Sequence, residues 1–186
     1  FREWAAAEQQ AVALRSFEPL VVPGLLQTEE YARALLTGAG RFRFTADEIE
    51  QHVASRLERQ ELLHRDNPPQ FVAVLDEYVL RRAIGGPAVM RAQVEHLVEM
   101  AARPRIHLHV VPAGAGAYSG LNGAFVIATL DGGEDLAYLD NQLQGQIADR
   151  PADVQSLRDS WEAVRAEALP HRQSIELIEE VARSWS

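Results

Sequence analysis

Residues 17–32 have the sequence FEPLVVPGLLQTEEYA. This stretch is too apolar for an ordinary surface loop, and its prolines and glycine interrupt it too often for a helix. Pro19 and Pro23 each fix φ and remove a backbone donor, whereas Gly24 can adopt positive φ. Thr28 has the chemistry of a helix N-cap, and acidic residues follow it in the first turn. The stretch therefore predicts a buried, rigid corner that joins two helices.

Helical patterns lie on both sides of this corner. Small and apolar residues recur with helical spacing over residues 3–15, which predicts an amphipathic helix. Residues 28–36 predict a second helix, and a capping box opens a third that runs over residues 45–64. On the third helix, Arg56 and Arg59 are interpreted as part of the solvent-exposed side.

Beyond residue 67 the pattern alternates between strands and helices. An apolar run at 71–75 predicts a strand buried on both faces, and a second strand at 106–111 follows a helix that begins at Pro87. Two strands joined by a helix predict a β-α-β crossover with a parallel pair. The remaining predicted elements are a hairpin of strands at 124–130 and 136–139, a short strand near 145–148, a helix at 151–168, and a final helix capped by Ser174.

These elements predict a single α+β domain. Its helical N-terminal part covers residues 1–66, its sheet part residues 67–150, and its C-terminal helices residues 151–186. The central mixed sheet is expected to have about four to five strands.

Composition narrows the classes of function. The chain of 186 residues has no cysteine, which excludes disulfides, thiolate catalysis and cysteine-based metal sites. Its formal net charge of −9 argues against direct binding of a phosphate backbone, which needs clustered cations. The apolar runs are shorter than the about 20 residues that span a bilayer, so we expect a cytoplasmic protein without membrane contact.

The order and spacing of six segments carry a resemblance to a known family. The segments are the helix around Glu8, the corner at 17–32, LDE at 75–77, GGP at 85–87, MRAQ at 90–93 and VVP at 110–112. Together they resemble, from near residue 3 to about residue 180, a domain of unknown function found C-terminal to Xre-like helix-turn-helix DNA-binding domains in regulators of filamentous actinobacteria. Members of that family are usually described as regulators or antitoxin-like proteins, so the resemblance implies regulation without giving a mechanism.

Two classes of function follow. The first is a regulatory domain that senses an effector or binds a protein partner, with DNA bound only through a separate segment. The alternative is an enzyme on the same scaffold that uses Glu77 or Asp76 as an acid or base. No nucleophile motif, phosphate-binding loop or cofactor motif is found, so we expect no cofactor and favour regulation over catalysis.

For the effector-sensing version, we expect a pocket beside the corner and the end of the first predicted strand of the sheet part, where open sheets tend to bind ligands. The carboxylate of Glu77 either faces this pocket or forms an ion pair with Arg81 four residues on. The candidate ligand-binding residues are Leu25, Gln27, Tyr31, Glu77, Arg81 and Tyr118.

For the partner-binding version, the C-terminal helices would bind a second copy of the chain or a small protein. Its anchors would be exposed apolar side chains on those helices; the alternative is that the same side chains belong to the core. The candidates are Trp161, Leu177, Ile178 and Trp185.

His107 and His109 point to the same face of a predicted strand. They could bind a divalent ion if Asp76 or Glu77 joined them as a further ligand. The alternative, which we favour, is that they occupy the polar face of a half-covered strand.

Overall fold

The structure is a computed structural model that describes residues 2–141 and 144–186. Its helices and strands, in chain order, are α1 (Arg2–Gln10), β1 (Ala11–Glu18), α2 (Glu29–Gly40), α3 (Ala46–Gln60), β2 (Gln70–Asp76), α4 (Glu77–Arg81), α5 (Pro87–Ala101), β3 (Ile106–Val111), β4 (Phe125–Leu130), β5 (Asp135–Leu139), β6 (Gln146–Ala148), α6 (Pro151–Glu167) and α7 (His171–Ser184). Short 3-10 turns lie at Gly24–Leu26, Glu61–Leu63, Ala113–Ala115 and Ser119–Asn122.

One mixed sheet organises the chain, in the strand order β3-β2-β1-β4-β5-β6. The strands β1, β2 and β3 run parallel, whereas β4, β5 and β6 join β1 through antiparallel pairs. The predicted α+β class, the β-α-β crossover from β2 to β3 and the β4–β5 hairpin are confirmed. The expected four to five strands are too few, because the sheet has six strands among the described residues.

The additional strand comes from the segment predicted to be the first helix. That helix ends at Gln10, and Ala11–Glu18 forms β1 in the middle of the sheet. Alanine, leucine and arginine favour helices locally, but here β1 pairs with β2 on one side and with β4 on the other, and Leu14 and Phe17 are fully buried. The prediction of a helix over residues 3–15 is therefore wrong beyond Gln10.

Two consequences follow for the predicted organisation. The corner joins a strand to a helix, and the part at 1–66 is not wholly helical because it supplies the central strand. The corner is nevertheless buried as predicted, from Val22 to Gln27 with Gly24 only partly covered.

Helices cover both faces of the sheet. One face packs against α1, α5 and α7 through a large apolar cluster that includes Trp4, Leu97 and Val181. The other face packs against α6, where Trp161 and Val164 contact a smaller cluster. The core is thus split into two layers by the sheet.

The first turn of α7 covers the free edge of strand β3 and bonds to its backbone. The backbone N–H of Val110 donates to Ser174 Oγ at 2.9 Å, and the N–H of Leu108 donates to His171 Nδ1 at 3.1 Å. The hydroxyl of Ser174 in turn donates to the carbonyl of Leu169. Ser174 was predicted to cap the final helix, but that helix begins at His171, so the fully buried side chain instead satisfies the edge of the sheet.

We expect Ser174→Ala to lower the free energy of unfolding by about 1–3 kcal/mol, because the buried N–H of Val110 loses its acceptor. Urea denaturation measures this change. Ser160→Ala is the matched control, since the Ser160 hydroxyl makes only a solvent-exposed bond to its own helix and should change stability by less than about 0.5 kcal/mol. Equal effects of the two substitutions would contradict the role of Ser174.

Candidate functional site

Glutamine side chains hold the corner between β1 and α2. The Nε2 of Gln27 donates to the carbonyl of Val22 at 2.6 Å. From α3, the Nε2 of Gln60 lies 2.8 Å from the carbonyls of both Gly24 and Gln27. These bonds satisfy backbone groups that the turn leaves without partners, so the corner is rigid.

A second set of bonds fixes the start of α2. The fully buried Gln93 of α5 accepts from the N–H of Thr28 and donates to the carbonyl of Leu26, both at 2.8 Å. Thr28 Oγ1 accepts from the N–H of Tyr31, which confirms the predicted cap. The hydroxyl of Tyr31 accepts from the N–H of Val22, so this side chain of α2 also holds the corner in place.

A cavity of about 310 Å³ opens beside this corner. Its walls come from α1, α2, α3, the corner and the strands β1, β2, β4 and β5. The apolar part is lined by Trp4, Val22, Leu25, Phe125, Val126 and Tyr138, and the polar part by Glu8, Ser16, Glu18, Arg56, Arg59 and Asp140.

The cavity lies at the carboxyl end of β1, where the topology of the sheet changes. Within the sheet, β1 has β2 as its neighbour on one side and β4 as its neighbour on the other. Of the neighbours of β1, the parallel strand β2 ends at this edge, whereas the antiparallel strand β4 begins there. The carboxyl ends of parallel strands in open sheets with crossover helices are a usual place for ligands. The fold itself therefore creates the opening.

An ion pair ties α1 to α3 at the rim of the cavity. The Nε and Nη2 of Arg59 each donate to a carboxylate oxygen of Glu8 at 2.9 Å. The Glu8 side chain is only 3% exposed, and that of Arg59 is 20% exposed. A bidentate pair at this depth holds the two helices in one relative position.

The Glu18 carboxylate differs from Glu8 because it has no hydrogen-bond partner among the described residues. It lies in the cavity wall at the last position of β1. Burial raises the pKa of Glu18 to about 8; the nearby Asp140 carboxylate adds to this increase and the Arg56 guanidinium opposes it. At neutral pH this carboxyl therefore largely retains its proton.

Arg56 supplies the cation of the same wall. Its Nη1 donates to Gln27 Oε1 at 2.7 Å, which links the cavity to the bonds that hold the corner. Burial, with the neighbouring Arg59, lowers the pKa of Arg56 below its ordinary value. The predicted solvent-exposed position of both arginines is wrong, since both line the cavity.

Aromatic rings form the apolar end of the cavity. The rings of Trp4 and Tyr138 stack with their centroids 5.2 Å apart and their planes 20° apart. Trp4 belongs to α1 and Tyr138 to β5, so the stack also fastens α1 to the sheet. The lining of the cavity thus contains both aromatic side chains and side chains of opposite charge.

A sequence model of the family described as a domain of unknown function, DUF5753, matches residues 1–180. The chain belongs to this family. No significant match was found among curated proteins or among solved structures. None of the helices that the structure describes in this DUF5753 domain is both long and apolar enough to cross a bilayer.

The DUF5753 domain brings together only part of the predicted ligand site. Leu25 and Gln27 line the cavity, and Tyr31 is buried behind the corner outside the lining. Glu77, Arg81 and Tyr118 lie elsewhere, at the end of β2 and in the loop after β3. Ligand binding by the predicted set stays a prediction, but its members do not share one pocket.

The side chains at the end of β2 have structural partners. Glu77 accepts from Arg81 Nε at 2.8 Å and from the N–H of Ala113 at 2.7 Å. Burial raises the pKa of Glu77, but these two donors outweigh it, so the pKa lies below its ordinary value. Asp76 caps α4 and accepts from the Tyr118 hydroxyl at 2.7 Å.

The candidate anchors of the partner-binding version are not exposed. Trp161 and Ile178 are buried, at 5% and 0% exposure. Leu177 and Trp185 pack against the core, and the indole N–H of Trp185 donates to the carbonyl of Leu80 at 2.9 Å. The alternative that these side chains belong to the core is therefore confirmed for Trp161 and Ile178, whereas Leu177 and Trp185 are partly buried against it.

His107 and His109 do lie on one face of β3, and His171 joins them. The ring centroid of His171 is 5.3 Å from that of His107 and 6.2 Å from that of His109. The Nδ1 atoms of His109 and His171 bond to backbone groups. Residues 2–141 and 144–186 contain no group of three or more histidine, aspartate or glutamate side chains arranged to hold a metal ion.

Glu18, Arg56 and Arg59 line the cavity but are not among the predicted site residues. A helix over residues 3–15 leaves Glu18 in a loop, whereas β1 places it at the carboxyl end of a central strand. Had the segment been recognised as a strand, the rule that placed the predicted pocket at the end of β2 would have pointed to Glu18 as well.

Proposed function

We propose that this DUF5753 domain is an effector-sensing regulatory domain whose ligand is a small molecule bound in the cavity between α1, α3 and the sheet. The observation that carries the proposal is that α1 forms one wall of the cavity through Trp4 and Glu8. A ligand there contacts α1 directly, so α1 is the element through which occupancy acts on the rest of the protein.

The contacts of α1 support this role. Side chains of Arg2–Gln10 fasten α1 to the sheet and to α3. The helix is held by the stack of Trp4 on Tyr138, by the pair of Glu8 with Arg59, and by Arg65, which donates to the carbonyl of Gln9. A ligand that fits one arrangement of these contacts better than another shifts the equilibrium between them, with about 1–3 kcal/mol of coupling in typical cases.

The resemblance to Xre-like actinobacterial regulators supports the finer proposal. In such a regulator the DNA-binding helices form a separate segment, and this acidic domain controls them without contacting DNA. The net charge of −9 agrees with DNA being bound by a separate segment, because an acidic domain repels the phosphate backbone.

Two observations favour binding of a small molecule over binding of a protein partner and over catalysis. The aromatic and aliphatic side chains proposed as partner anchors lie in the core or pack against it. The carboxylates proposed as acid or base, Asp76 and Glu77, are occupied by structural hydrogen bonds. The cavity, in contrast, has a volume at the lower end of the range of about 300–1,000 Å³ that is usual for ligand sites.

The proposal is tested by filling the cavity. Ala124 lines it at the start of β4, so Ala124→Trp should occupy the space with an indole. We expect fluorinated fragments detected by ¹⁹F NMR to bind the wild-type protein and to lose binding in this variant. We also expect bound fragments to slow hydrogen exchange in residues 2–10 of the wild-type protein by about threefold or more.

Ala54→Trp is the control, because Ala54 is exposed on α3 and outside the cavity lining. It should retain both fragment binding and the change in exchange. Fragments that bind Ala124→Trp as tightly as the wild type would show that the cavity is not the ligand site. Bound fragments that leave the exchange of α1 unchanged would show that α1 does not report occupancy.

A further inference from the structure

The cavity presents more negative than positive groups. Five ionisable side chains line its polar part, and Glu8 and Arg59 neutralise each other through their bidentate pair. The groups that remain are two carboxyls, Glu18 and Asp140, and one guanidinium, Arg56. One negative charge is therefore in excess whenever Glu18 is ionised.

The carboxyl of Glu18 is the more buried of the two carboxyls that remain, since Asp140 is exposed. No described residue donates a hydrogen bond to Glu18, although it lies in a partly buried position in the cavity wall. A carboxylate taken out of water without a partner is unfavourable, and the ordinary partners are a cation or a proton. Burial raises the pKa of Glu18 to about 8, so in the empty cavity this carboxyl holds a proton at neutral pH.

The apolar part of the lining also bears on the class of ligand. Trp4 is stacked on Tyr138 and is only 1% exposed, so the partly exposed side chains of Tyr138 and Val126 supply the accessible apolar area of this lining. The volume of about 310 Å³ is about twice that of a cavity that accepts benzene, so a molecule with one or two rings fits.

We propose that the cavity binds a small organic cation, namely an amine carried on an aromatic or other apolar body, with its ammonium group at Glu18 and Asp140 and its body on Val126 and Tyr138. This inference rests on the proposed function, since it names the class of effector for the same cavity. An anion would have to bind at Arg56, which already donates to Gln27 and lines the same cavity as both carboxyls.

Binding of the cation is coupled to release of a proton. The ammonium group replaces the proton on Glu18, and that proton passes to the solvent, so the charge of the cavity is unchanged. Affinity should therefore rise with pH up to about pH 8, where the empty site itself begins to release its proton.

The test uses three probes of similar shape and different charge: 2-phenylethylamine, 2-phenylethanol and 3-phenylpropionate. Isothermal titration calorimetry is performed with the wild-type protein at about pH 6 and about pH 8.5. We expect the amine to bind at least about tenfold more tightly than either analogue at the higher pH. Since the pKa of Glu18 is about 8, the affinity of the amine should be about fiftyfold to about one hundredfold lower at the lower pH than at the higher pH. Titrations in buffers of different ionisation enthalpy should show a proton released as the amine binds.

Two variants assign the effect to the carboxyl. Glu18→Gln should weaken amine binding about tenfold at the higher pH and remove its pH dependence, while a circular dichroism melt verifies that the variant is folded. Glu179→Gln, exposed on α7, should leave both the affinity and the pH dependence as in the wild type. Unchanged binding in Glu18→Gln would overturn the inference.

The remaining outcomes separate this inference from the proposed function. If the alcohol or the carboxylate binds as tightly as the amine, the inference about charge fails and the ligand site stands. If no probe binds but other fragments bind the wild type and not Ala124→Trp, again only the inference about the cation fails. If no fragment of any charge distinguishes the wild type from Ala124→Trp, both fail.

Discussion

Replacing Glu18 with glutamine is expected to remove a loss of stability that the wild-type protein shows as the pH rises from 4.5 to about 8. In this interval the folded protein holds the proton on Glu18, whereas the unfolded chain has released it, so the free energy of unfolding decreases with rising pH. At about 1.4 kcal/mol for each tenfold change in proton affinity, the decrease amounts to at most about 5 kcal/mol. Glutamine resembles the protonated carboxyl and has no proton to lose.

Urea denaturation at a series of pH values between about 5 and about 9 measures this effect. The difference between the wild type and Glu18→Gln isolates Glu18, because other groups contribute equally to both. His96 and His109, whose pKa values burial lowers, give a slope of the opposite sign near pH 6.5 in both proteins. Parallel stability curves for the two proteins would contradict the buried, protonated state of Glu18, and Glu179→Gln should follow the wild type.

Replacing Glu8 with glutamine is expected to lower the free energy of unfolding by about 3 kcal/mol. The substitution removes a nearly fully buried carboxylate that accepts two hydrogen bonds from Arg59, and it turns an amide N–H toward the guanidinium. Because Glu8 belongs to α1, we also expect the substitution to speed up hydrogen exchange in residues 2–10 relative to the wild type, and by more than in the rest of the core.

The exposed pair of Arg91 and Glu95 on α5 provides the control for this experiment. It has the same distance of 2.9 Å, but both side chains are about half exposed, and Glu95→Gln should change stability by less than about 0.5 kcal/mol. Denaturation in urea measures both variants. If Glu8→Gln were no more harmful than Glu95→Gln, the ion pair would not hold α1 in place.

The parts of the fold that were correctly predicted depend on local chemistry. Thr45 and Glu48 form the predicted capping box because both partners lie within one turn of the same helix. Thr28 caps α2 for the same reason. The apolar runs of β2 and β3 and the turn between β4 and β5 were recognisable because each is a short pattern with its own period or turn residues.

The segment that was predicted wrongly owes its structure to residues that are distant in the sequence. Ala11–Glu18 contains residues that fit a helix, but its neighbours in the sheet are residues 70–75 and 125–130. Those pairings bury Leu14 and Phe17 and outweigh the local preference. The same error concealed the site, because Glu18 becomes the end of a central strand only when β1 exists.

Sequence patterns were sufficient for the α+β class, the rigid corner beside Gly24, the crossover and the acidic, cysteine-free composition, since each of these follows from neighbouring residues or from simple counts. The cavity, the ion pair between Glu8 and Arg59 and the raised pKa of Glu18 required the folded chain. Each of them arises between segments that are distant in sequence, and the proton affinity of a buried carboxyl is set by the groups around it and not by the residue itself.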